Sequence, residues 1–158
     1  MDNEALKIPK KLKHLKLWVH PEGPVVGAIF LHCQSDRHEG EELPEEAMNG
    51  PEPFFVFRGG SDDDLRFYNK HAVVRLEYTP EPGQRLPEGG VALRSRLHLM
   101  DGSTLEGVIR EMLAPEHARL FDYINIFEDR FVRLFMDEDT CITLVNKAYI
   151  VRVTPLDR

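Results

Sequence analysis

The chain has 158 residues, 42% of them hydrophobic and 30% charged, and a formal net charge of −7. That composition suits a globular protein of one ordinary domain or two very small ones, and it excludes wholesale disorder. The acidic balance argues against a general nucleic-acid binder, whose phosphate contacts need a basic surface.

The N-terminus, "MDNEALKIPKKLKHLKLWVH", opens as a basic arm (1–14). Residues 1–20 hold five lysines against Asp2 and Glu4, a net of +3. It has no apolar run resembling a signal-peptide core, and no later segment approaches the ~20 apolar residues that cross a bilayer. The expectation is a soluble, cytoplasmic protein. Cys33 and Cys141 alone suggest no disulfide framework.

Residues 15–29, "LKLWVHPEGPVVGAI", alternate at Leu15, Leu17 and Val19, turn, and resume at Val25. Period-two alternation about a short turn predicts a β-hairpin. Next comes "LHCQSDRHEGEE" (31–42). His32, Cys33, Asp36 and His38 offer nitrogen, sulfur and oxygen ligands that zinc accepts. Yet the His-x5-His spacing matches no zinc knuckle and no second ligand pair follows, so the preferred reading is an exposed polar loop, with no metal or cofactor expected. Residues 36–64 hold ten acids against two arginines, a net of −8. Within them, "LPEEAMNGPEPFFVF" (43–57) reads as a loop around a short helical turn leading into a strand. "RGGSDDD" lacks the lysine and helix of a phosphate loop and reads as a hairpin turn, followed by the strand "LRFY".

"NKHAVVRL" (69–76) then closes the first half, and its counterpart "NKAYIVRV" (146–153) closes the second. Asparagine suits a left-handed turn position, which predicts a tight Asn-Lys turn twice. The linker "TPEPGQRLPEGG" (79–90) separates the copies, with three prolines and three glycines marking a boundary. The second copy repeats the hairpin as "SRLHLMDGSTLEGVI" (95–109), turning at Asp101-Gly102. An offset of 80 aligns Leu17 with Leu97, Val19 with Leu99, Gly27 with Gly107 and Ile29 with Ile109. The glycine inside each second strand predicts a bend or a close backbone approach. Residues 115–124, "PEHARLFDYI", predict a short helix. The strands "RFVRLF" and "CITLV" follow, with Asn49 aligned over Asn125 and Phe55-Val56 over Phe131-Val132.

Each copy thus reads β-β-(helix or loop)-β-β-β, with the first spanning 15–78 and the second 91–158. Five short strands with a tight turn before the last resemble the Sm-like and SH3-like small barrels. "YNKHAVVRL" resembles the closing segment of bacterial Sm-like RNA chaperones, and "LMDGSTLEGVI" is similar to the opening hairpin of Sm proteins. The chain departs from them in placing a helix between the second and third strands, and in carrying Ala148-Tyr149 where the first copy has His71-Ala72. "RLFDYINIFEDRFVRL" also resembles an uncharacterised bacterial family, and that likeness implies no activity. The expected fold is mainly β with short helices, as two tandem five-stranded Sm-like or SH3-like barrels related by internal duplication.

No catalytic arrangement stands out: there is no nucleophile elbow, and adjacent strand residues such as His32 and Cys33 point to opposite faces. The expected function is a non-enzymatic interaction or assembly module that binds protein partners through barrel rims and strand edges. Edge pairing is how Sm-like units form rings, so the resemblance also implies a homo-oligomer. The candidate binding residues are the Asn-Lys turns (Asn69, Lys70, His71, Asn146, Lys147), read as rim cations, with Trp18 and Phe127 as aromatics able to reach a partner. The alternative is RNA or nucleotide binding by an Sm-like surface at Lys70, His71 and Lys147, which the acidic charge disfavours.

Overall fold

A computed structural model describes residues 10–82, 91–111, 120–126, 128–136 and 140–156. Among these residues, ten strands form one open antiparallel sheet: β1 (Lys10–Val19), β2 (Gly23–His32), β3 (Phe54–Arg58), β4 (Leu65–Asn69), β5 (Val73–Tyr78), β6 (Val91–Leu99), β7 (Thr104–Glu111), β8 (Phe131–Met136), β9 (Cys141–Asn146) and β10 (Ile150–Pro155). Helix α1 (Pro44–Asn49) lies between β2 and β3, and α2 (Leu120–Ile124) between β7 and β8. The spatial order is β10-β6-β7-β8-β9-β5-β1-β2-β3-β4. The first five strands therefore lie in the order 5-1-2-3-4, and the last five repeat it as 10-6-7-8-9.

β1 and β2 pair over their whole length, from Lys10↔His32 to Val19↔Gly23. The predicted alternation holds, with Leu15, Leu17 and Val19 buried and Lys16 exposed. Residues 10–14 of the expected basic arm belong to β1, and its residues 1–9 lie outside the described residues. Gly23 and Gly102 take positive φ in the two hairpin turns, a conformation that glycine adopts without a Cβ penalty. α1 begins on Pro44, and Glu46 reaches back to accept the Leu43 N–H at 3.1 Å.

The sheet narrows at one place in each half. β2 meets β3 only at Ala28↔Arg58 and Ile29↔Phe57, and β7 meets β8 only at Val108↔Phe135. Gly27 and Gly107 stand at these crossings. A Cβ on Gly27 would overlap the Arg58 carbonyl oxygen and the Phe57 ring. One on Gly107 would lie 2.6 Å from Leu134 Cγ and 2.8 Å from the Phe135 carbonyl oxygen. Both glycines thus permit the close backbone approach expected of them.

These paired contacts also correct the alignment of the halves. Phe54 faces Asn69 as Phe131 faces Asn146, so Phe54, not Phe55, matches Phe131, and the offset along the later strands is 77. Other contacts recur at matching places. The His20 N–H bonds the Ala72 carbonyl and the Met100 N–H that of Tyr149, both at 2.9 Å. Two apolar clusters form the core. One holds Leu17, Met48, Phe57 and Leu76; the other holds Leu97, Ile109, Leu134 and Val145.

Candidate interaction edges

The halves meet where β5 pairs with β9, in the register Arg75↔Val145 to Tyr78↔Ile142. The second half sends Phe131, Phe135, Ile142 and Leu144 into the first core cluster, and the first half returns Val74 to the second. Polar groups pin the same line. Asn146 Nδ2 donates to the carbonyls of Val73 at 2.9 Å and Lys70 at 3.3 Å. Asn49 Oδ1 accepts the Phe131 N–H at 2.8 Å. Arg133 donates to Glu45 at 3.0 Å and to Glu111 at 3.1 Å, and the Tyr78 hydroxyl donates to Glu45 at 2.6 Å. Burial raises the Glu111 carboxyl above its usual range, although Arg133 pulls against it. A cavity of about 230 Å³ opens beside this cluster, lined by Arg37, His38, Glu46, Glu111, Tyr123 and Arg133 among others. None of Glu45, Glu111 or Arg133 carries a sequence signal, because partners 22 and 88 residues apart are set by topology alone.

Among the described residues, β4 and β10 stand at the two ends of the sheet and each pairs on one side only. β4 exposes Phe67 (73%) and Leu65 (52%), the adjoining β3 exposes Phe54 (52%), and β10 exposes Val151 (65%). An unpaired strand presents free N–H and C=O groups, and apolar side chains beside it add a hydrophobic footprint.

The Asn-Lys turns differ from expectation in a revealing way. Asn69 and Asn146 are extended (φ −76° and −67°), so the left-handed turn is not formed. Instead each side chain caps a one-turn 3₁₀ helix, Lys70–Ala72 or Lys147–Tyr149, by accepting the N–H two residues on. The cap turns the lysines inward. Lys70 is buried and its Nζ donates to the Gly50 carbonyl at 3.2 Å, while half-buried Lys147 donates to that of Ile126 at 2.7 Å. Burial lowers both ammonium pKa values. The lysines tie each turn to the loop that follows its own half's helix, and they are not the rim cations expected from sequence. His71 is exposed. Trp18 is half-buried, with the Arg75 guanidinium 3.9 Å and the Lys16 ammonium 4.8 Å from its ring centre. Phe127 lies outside the described residues.

His32, Cys33, Asp36 and His38 do not gather. Cys33, Asp36 and His38 are exposed, and no group of three or more potential ligands occurs among the described residues. His38 instead bonds the Glu39 carbonyl and pairs with Glu46, which also accepts from Ser35 at 2.6 Å. Those partners raise the His38 pKa. Burial pushes Glu46 up, but Ser35, the Leu43 N–H and His38 together bring it below its usual value.

No family model, curated protein or solved structure matches the chain. Among the described residues, no helix is long and apolar enough to cross a membrane.

Proposed function

We propose that the protein is a non-enzymatic interaction or assembly module that binds protein partners through its strand edges. The observation that carries this reading is the pair of half-paired strands, β4 and β10, at opposite ends of the sheet, each with exposed apolar side chains. Strand addition to such an edge draws affinity from main-chain hydrogen bonds and specificity from the flanking side chains. Acidic charge is compatible with this mode. The repeated strand order and recurring contacts support a finer reading, two tandem five-stranded small barrels of Sm-like or SH3-like layout derived by duplication. RNA binding is the weaker reading because Lys70 and Lys147 are already engaged by backbone carbonyls.

Backbone amide exchange tests the proposal, read at the amides of 65–69 and 150–154 that point away from β3 and β6, in the purified protein and after addition of cell extract. Edges that bind a partner exchange slowly in at least one condition. Fast exchange at both edges in both conditions removes the reading.

A further inference from the structure

The internal β5·β9 junction is a completed interface, and each of its sides has a counterpart left open at an end of the sheet. On one side, β9 and β8 bury Leu144, Ile142 and Phe131 to 0%, 1% and 2% exposure. Their counterparts at the offset of 77 are Phe67, Leu65 and Phe54, all more than half exposed. On the other side, Val74 is 9% exposed, whereas its counterpart Val151 is 65% exposed. Beside it, Val73 and Leu76 are wholly buried in the first core cluster, while Ile150 and Val153 stay half-buried at the open end.

The polar contacts have counterparts too. Asn49 holds the Phe131 N–H, and the open ends keep both members as Asn125 and the Phe54 N–H. Asn146 holds the carbonyls of Lys70 and Val73, and the open ends keep Asn69 with those of Lys147 and Ile150. The ion pair is replaced on both sides at once. Around the helices the offset is 76, as Asn49 over Asn125 and the lysine contacts to the Gly50 and Ile126 carbonyls require, so Glu45 corresponds to Phe121. Arg133 corresponds to Val56 at 77, and an apolar pair stands where the junction has a charged one. Phe121 is 71% exposed. Five of the seven large apolar side chains exposed among the described residues are thereby counterparts of residues the junction covers.

We infer that the partner at these edges is a second copy of this chain, docked head to tail with β10 of one copy against β4 of the next. The inference rests on the edge reading above and names its partner. Transferring the internal register places Arg152 opposite Tyr68, Val153 opposite Phe67 and Thr154 opposite Arg66 of the neighbouring copy. Pro155 falls opposite Leu65 and, lacking an N–H, ends the ladder there. Such contacts are heterologous. They propagate from copy to copy, closing into a ring when the rotation permits and continuing as a filament when it does not.

Phe67→Asp and Val151→Asp each place a charge on one edge at an exposed position, so the single chain keeps its fold. Mass measured by light scattering across a concentration series should show wild type assembling and each variant weakened by about tenfold or more in dissociation constant. Mixing the two variants should restore a one-to-one dimer, because each retains the edge that the other has lost. A variant that unfolds is replaced by Phe67→Ser or Val151→Ser, with the same expectations. Wild type that stays monomeric overturns the inference, as does assembly indifferent to both substitutions or a mixture that fails to pair. A monomer whose edge amides become protected in cell extract would reject self-docking while leaving the edge reading in place. Edges fast-exchanging in both conditions would reject both.

Discussion

Arg133 of β8 donates to Glu45 of α1 at 3.0 Å, a charged bond between residues 88 apart that ties the two halves of the chain together. Both side chains are largely buried, and Glu111 and the Tyr78 hydroxyl complete the cluster. Breaking one member of a buried pair leaves the other charge uncompensated, which typically costs ~3–5 kcal/mol.

Arg133→Met should therefore destabilise the protein by about 3 kcal/mol, since it leaves Glu45 and Glu111 without their shared cation. Urea unfolding measures it. A loss comparable to a surface substitution would mean that the cluster does not hold the halves together.

Gly107→Ala should cost ~1–3 kcal/mol through overpacking, because the new methyl meets Leu134 Cγ and the Phe135 carbonyl. Gly60→Ala is the control, with nothing within 4 Å of its Cβ and no positive φ. Thermal unfolding should separate the two variants, and equal melting temperatures would contradict the close crossing of β7 and β8.

Asn146→Ala removes a buried donor to two carbonyls and the cap of the Lys147 turn, and should cost about 2 kcal/mol or more. In the single chain, Asn69→Ala loses only the corresponding cap, worth ~1 kcal/mol. Comparing the two at concentrations where the protein is monomeric checks the difference.

His38 bonds the Glu39 carbonyl and Glu46, which raise its pKa above the ordinary value of about 6.5. Its contribution to stability is complete below about pH 6.5 and is lost as pH rises through the raised value. Glu46, lowered on balance, contributes above the ordinary glutamate range near pH 4.3 and loses that contribution as pH falls through its depressed value. The loop before α1 should be most secure between those limits. An NMR titration should find the His38 midpoint above 6.5 and shifted back towards it by Glu46→Gln; an unmoved midpoint would remove Glu46 as a cause.

Much of the strand layout was legible because strands and tight turns are local. Alternation at Leu15, Leu17 and Val19 located β1, Asp101-Gly102 located a hairpin turn, and Gly27 and Gly107 marked the close crossings. The repeated Asn-Lys pairs announced matching turns, yet a side chain's direction depends on what lies beside it. Nothing near Lys70 in sequence tells that the Gly50 carbonyl, 20 residues earlier, waits for its ammonium.

By itself the sequence determined which residues extend, where the chain turns, and that one strand pattern recurs, since backbone preference and alternation act over a few neighbours. Only the tertiary structure decided which strands stand side by side. That placement covers Leu144 and leaves Phe67 bare, although both sit at the same point of the same pattern. Burial is a property of what packs against a surface, and the strand that packs against β9 is β5, from the other half of the chain.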